Sequence, residues 1–359
     1  MAQSSSFKKF TDIIERSQFK IVVGAVLLLL LSGGLIYLII IGKTRINASP
    51  IVPSIVEATS TVKLVARRLD GVMVPVGEEA LMPRAIMIEN EVNARPLSGP
   101  AKASLVIEAP VEGGIPRLIA FFNATDTISE IGPVRSARPY FVDWAKAWNA
   151  MYFHVGGSPE ALALLNTSSN SIPNFDEIHA GRFFWRSSDR LMPHNAYTNS
   201  DLIKQATMET ASSSAPVTWH FQDASTSTAK ARSPIIKVTY GGPYNVAWKF
   251  DQERRVYVRY QAENLQQDAD GAPVESQNVI VIKTDGRVFD EVGRLHLRTT
   301  GSGDAIAYRD GNKYILRWKR AAGEPMKFES KDGKEFLLNR GRTWIEVTTD
   351  DRVFAGLEK

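Results

Sequence analysis

An unbroken apolar run, Ile21 to Ile41, constrains this chain more than any other feature, because it holds no charged side chain. At roughly 1.5 Å per helical residue it reaches about 30 Å, the thickness of a bilayer's hydrocarbon core. A secretory leader has a shorter apolar stretch and a small-residue cleavage site. Here Asn47-Ala48-Ser49 is a poor substitute for such a site. The run therefore reads as a retained signal-anchor helix, in which Gly24, Gly33 and Gly34 are tolerated. A cleaved leader would send the rest of the chain to the same compartment.

Flanking charge sets the orientation. Lys8, Lys9, Arg16 and Lys20 precede the run, and only Lys43 and Arg45 follow closely. The excess of positive charge places the N-terminus in the cytoplasm and the chain from Thr44 onward outside. The formal net charge of +4 belongs to this region. Removing the six basic and two acidic residues of 1–45 leaves 37 of each sign beyond it. The external part is neutral and lacks the basic footprint of a nucleic-acid binder. With no cysteine, disulfides, thiolate chemistry and a lipid-modified cysteine are excluded for these 359 residues. The expected tether is the helix alone, and no cofactor motif is found.

Six segments follow from composition and periodicity. These are a cytoplasmic tail (1–20), the transmembrane helix (21–41), a stalk (42–62), a mixed α/β domain (63–208), a linker (209–232) and an antiparallel β-rich domain (233–359). Pro50 and Pro53 mark the stalk. Ala85–Ile88, Ser104–Ile107, Arg117–Phe122 and Met151–Val155 read as strands. Helices are expected over Pro139–Trp148, over Ala161–Leu165 with Ser158 as N-cap, and over Ser200–Met208. Serine- and threonine-rich stretches suggest the linker, in which Val217–Phe221 could dock as a strand. From Pro234 on, short β-branched segments alternate with turns such as Asp285-Gly286 and Asp310-Gly311, which suggests a small barrel or meander.

Unusual polar residues crowd the stretch from Asn90 to Asn195. The sharpest point is Gly132-Pro133-Val134-Arg135-Ser136-Ala137-Arg138-Pro139, where two arginines stand at a helix N-terminus that itself favours anions. Either protein carboxylates, Glu108 or Glu112, offset them, or a bound anion does. Glu108 and Glu112 could alternatively form an acid/base pair of a glycoside hydrolase. His154 and His194 lack metal-ligand spacing and read as structural. With Asn195 and Arg95 they are candidates to shape a ligand pocket. No nucleophile elbow or phosphate loop is present. Trp248, Trp318 and Trp344 are expected in the core.

Four segments carry a family resemblance. They are Asn93-Ala94-Arg95-Pro96-Leu97-Ser98-Gly99, Ile107-Glu108-Ala109-Pro110-Val111-Glu112-Gly113-Gly114, Gly132 to Tyr140, and His154-Val155-Gly156-Gly157-Ser158. They resemble the YerB-like family of bacterial envelope proteins, a domain of unknown function with N- and C-terminal parts. Pro193-His194-Asn195-Ala196-Tyr197-Thr198 and Gly341-Arg342-Thr343-Trp344-Ile345 fit the same pattern. The resemblance spans about Arg67 to Val353 and implies an extracytoplasmic protein; many relatives are lipoproteins. Pro116 stands where the pattern has threonine. No reaction comes with the resemblance, so whether the chain is an enzyme stays open. The leading expectation is an envelope module in which Arg135 and Arg138 hold an anionic peptidoglycan or other wall group, with Glu108, Glu112, His154 and His194 around it. A membrane-protein partner and a wall hydrolase using Glu108 and Glu112 are the alternatives.

Overall fold

The computed structural model describes Lys20 and residues 22–38, 62–167, 172–210, 213–216, 219–226, 231–232 and 235–350. It divides into two units, Met1–Thr61 and Val62–Lys359. In the first, residues 22–38 form a helix, α1, with exposed side chains. Among the described residues no helix is long and apolar enough to cross a membrane. The ends of the expected span, Ile21 and Ile39 to Ile41, lie outside the described residues, as do residues 1–19 and 42–61 of the tail and stalk.

The second unit is built on a ten-stranded mixed sheet. In chain order its first five strands are β1 (Arg84–Ile88), β2 (Leu105–Pro110), β3 (Pro116–Phe122), β4 (Met151–His154) and β5 (Asn174–Asp176). A second, antiparallel sheet follows with β6 (Ile235–Val238), β7 (Val246–Asp251), β8 (Val256–Gln261), β9 (Asn264–Leu265) and β10 (Glu275–Ser276). The chain then returns to the large sheet with β11 (Asn278–Lys283), β12 (Gly301–Arg309), β13 (Asn312–Arg320), β14 (Lys327–Glu329) and β15 (Thr343–Thr348). The spatial order is β14-β13-β12-β11-β15-β2-β3-β1-β4-β5.

The central strands are apolar on both sides because both faces are covered. Leu105, Ile107 and Ala109 of β2 pack with Tyr140, Phe141 and Trp144 of helix α2 (Pro139–Ala147). Val106, of opposite parity, joins Trp248 and Tyr257 of the second sheet. Strand alternation thus sends neighbours into two separate cores. Helices α3 (Pro159–Leu165), α4 (Glu177–Ala180) and α5 (Ser200–Met208) follow. The Ser158 hydroxyl accepts from the Ala161 N–H as an N-cap.

The two expected domains share one large sheet. Residues 278–348 do not form a closed barrel; they extend the sheet begun by residues 84–176, through parallel pairing of β15 with β2. Residues 235–276 make a separate five-stranded antiparallel sheet, whose face closes the second core. The expected linker also packs. Trp219 is buried against Trp148, and its indole donates to the Met326 carbonyl at 2.7 Å. Phe221–Gln222 pairs in parallel with Leu338–Asn339, while Val217 and Thr218 lie outside the described residues. Trp248, Trp318 and Trp344 are buried, as composition suggested.

Candidate functional site

Seven strands of the large sheet, β1, β2, β4, β5, β11, β13 and β15, run in one direction. Ligands of open α/β sheets bind outside the carboxyl ends of such strands. At that edge β1 and β4, paired through Ile86 and Phe153, spread apart. Residues 133–137 fill the gap. The Arg135 N–H donates to the Met87 carbonyl (2.9 Å) and the Glu89 N–H to the Pro133 carbonyl (3.0 Å). On the other side Val155 N–H donates to the Arg135 carbonyl (3.1 Å) and Ala137 N–H to the Gly156 carbonyl (3.0 Å). Gly132 opens this insert at φ +152°, and a Cβ there would stand 2.8 Å from the Ala196 carbonyl oxygen. No larger residue fits that close approach.

The insert delivers two arginines to the face that carries α2. Arg138 makes a fork with Glu112, Nε to Oε1 and Nη2 to Oε2, both 2.7 Å. Arg135 lies beside Glu89, with Nε 2.9 Å from Oε1. The other oxygen of Glu89 meets Nδ1 of His194 at 2.8 Å. Burial pushes the Glu112 carboxyl up, but the Arg138 fork overcomes this and holds it below its ordinary range. The carboxylates offsetting the two arginines are therefore Glu112 and Glu89, and Glu108 is not among them.

A third guanidinium stands with them. Arg117, at the start of β3, is 7% exposed. Its Nη1 donates to the Ser136 carbonyl at 2.8 Å, and no carboxylate of the described residues lies within ion-pair distance. Burial, reinforced by repulsion from Arg138 and Arg135, lowers its pKa to about 10, so it stays charged at neutral pH. Three guanidiniums thus face two carboxylates, a surplus of one positive charge. The fully buried Tyr152 hydroxyl is near enough to feel Arg117 and Arg138 and has no hydrogen-bond partner among the described residues. The cluster can accept a carboxylate or phosphate oxygen.

The remaining expected site residues have other places. Glu108 is fully buried on the opposite face, between the sheets. It accepts from Arg259 Nη2 (2.6 Å), Trp344 Nε1 (3.1 Å) and Asn90 Nδ2 (3.0 Å). Glu346 joins the network, accepting from Trp248 Nε1 and the Tyr240 hydroxyl at 2.9 Å each. Glu112, held by Arg138, belongs to a different network. The acid/base pair of a glycosidase is thereby contradicted, since a carboxyl with 0% exposure cannot meet substrate. His154 is buried, its Nδ1 2.7 Å from the Gly156 carbonyl and Nε2 2.7 Å from Asn174 Oδ1. It fastens β4 to β5. Asn195 is buried and accepts from Arg186 Nη1 at 2.9 Å. Arg95 donates to the carbonyls of Asn90 and Pro243 and lies over the Tyr244 ring, so it ties loops together.

A second clasp joins the two sheets. The buried Asp268 carboxylate accepts from the Gly99 and Ala101 N–H groups at 2.8 and 3.1 Å. Burial outweighs these bonds and pushes its pKa up to about 7. A raised carboxyl pKa means that the folded state binds the proton more tightly. Its contribution to stability is full below about pH 3.8 and is lost as pH rises to about 7. Asp268→Asn is expected to flatten the fall in denaturation midpoint across that window; an unchanged slope would contradict the assignment.

Fold and site together define a mixed α/β module with a charged cluster at the carboxyl edge of its sheet. The chain belongs to the DUF3048 family of proteins of unknown function: the family's N-terminal domain matches residues 71–214 and its C-terminal domain residues 236–345. It is similar to the YerB protein of Bacillus subtilis (strain 168), 31% identical over 276 residues, covering 75% of this chain and 81% of that one. The crystal structure of Bacillus subtilis YerB superposes with a TM-score of 0.72 at 28% identity, covering 80% of this chain and 98% of YerB.

Proposed function

We propose that the chain is a membrane-tethered extracytoplasmic protein that binds an anionic component of the cell wall through Arg117, Arg135 and Arg138. The observation that carries this reading is the buried guanidinium of Arg117, which has no carboxylate of its own and lies beside two arginines that do. Keeping an uncompensated cation out of water is costly, and an arriving carboxylate or phosphate would offset that cost. Arg135 and Arg138 position the ligand and keep their Glu89 and Glu112 partners.

The compartment is supported from two sides. The name of YerB marks it as a candidate lipoprotein. This chain has no cysteine to carry a lipid, and its apolar run 21–41 takes over as a single-pass anchor with the N-terminus in the cytoplasm. The test is cosedimentation of the full chain with purified wall sacculi at about 50 and 500 mM salt. Binding through one exchangeable anion contact should weaken severalfold with salt. Retention that ignores salt would remove the anionic ligand from the account.

A further inference from the structure

On the far side of Glu89 from the arginine cluster lies an open cleft of about 820 Å³, lined by Asn93, Glu130, Asp189, Arg190, His194 and Tyr197 among others. His194 connects the two places, with Nδ1 on Glu89 and Nε2 3.8 Å from Glu91. We propose that this cleft is a binding site for a neutral, hydroxyl-rich oligosaccharide. The inference does not rest on the role given to Arg117.

The walls are built before any ligand arrives. The Arg190 guanidinium is fixed by donating to the carbonyls of Ala94 (2.6 Å) and Pro96 (2.8 Å), leaving its other N–H groups for the cleft. Glu130 accepts from the Ser98 hydroxyl at 2.6 Å. Ser98 itself is held by backbone pairing with Gly132, and the neighbouring Ile131 pairs with Thr198. The Tyr197 ring stacks on Trp185 with centroids 5.8 Å apart. Such preorganised polar groups around a concave site are what small-ligand recognition requires.

Chemistry selects the ligand class. Among the described residues neither Glu130 nor Asp189 has a basic side chain within ion-pair distance. They stand opposite one guanidinium that is already tied to carbonyls, so the lining is net negative and disfavours an anion. A simple cation would satisfy the carboxylates and leave the Arg190 and Tyr197 donors unmatched. A hydroxyl both donates and accepts, and a chain of sugar hydroxyls meets interleaved carboxylates, amide and guanidinium without a charge of its own. Leu191 and Met192, 86% and 74% exposed, supply an apolar rim for the faces of sugar rings.

The test is calorimetric titration of the full chain in detergent with neutral tetrasaccharides: chitotetraose, cellotetraose and maltotetraose. At least one is expected to bind, with an affinity that changes less than twofold between about 50 and 500 mM salt. Asp189→Asn and Glu130→Gln are each expected to weaken it about tenfold, and Arg117→Met to leave it unchanged. Asp189 is exposed, so its variant reads binding without a folding defect. The proposal is overturned if none of the three sugars binds, if both cleft variants bind like the parent, or if Arg117→Met removes sugar binding as well.

Discussion

Arg259→Met is expected to lower the stability of the folded chain by about 3–5 kcal/mol, the cost of leaving a buried charge without its partner. Among the described residues, Arg259 is the one cation within ion-pair distance of two fully buried carboxylates, 2.6 Å from Glu108 and 3.8 Å from Glu346. Its guanidinium also lies over the Trp344 ring, with 4.7 Å to the centroid. One positive charge cannot neutralise two negatives. Burial, and then the Glu108 charge, push the Glu346 carboxyl up to about 8, and the Tyr240 hydroxyl donates to it. Since that pKa is raised on folding, the contribution of Glu346 is full below about pH 4.5 and is lost as pH climbs to about 8. Glu346→Gln should therefore fold well and lose this part of the pH dependence. Urea denaturation of both variants across pH 5–8 checks the pair. A loss under about 1 kcal/mol for Arg259→Met would mean that the network is wetter than its burial implies.

This network shows where sequence reasoning stops. Local elements were readable because they depend on near neighbours: Ser200–Met208 follows its periodicity, and Ser158 caps as its side chain requires. The sheet as a whole was not readable. β15 pairs with β2 although Thr343 and Leu105 are far apart in sequence, and no local pattern encodes parallel pairing between such distant strands. That the two expected domains share one sheet was hidden for that reason. For the site, Glu112 with Arg138 was one of the carboxylate partnerships open from sequence, whereas Glu89 was missed although it directly follows β1. Arg259 carried a usable signal: in β8 it shares parity with the buried Tyr257 and Gln261, which placed a charge on the inward face. Arg117 was visible only as one polar residue among many. Its isolation from carboxylates depends on the insert at 133–137, which tertiary structure alone sets.

The second large effect is expected at Arg117. A residue kept for stability loses it when replaced; a residue kept for binding against its own burial cost does not. Arg117→Met removes a buried cation repelled by Arg135 and Arg138, and gives up one hydrogen bond to Ser136. Those terms oppose each other, so the variant should be no less stable than the parent, and up to about 2 kcal/mol more stable. The most direct measurement is therefore a paired one on the parent and Arg117→Met, combining the urea midpoint with the affinity for wall sacculi at low salt. The account predicts an equal or higher midpoint together with at least tenfold weaker binding. Undiminished binding, or a midpoint that falls by several kcal/mol of stability, would make Arg117 a structural residue and contradict the anion site.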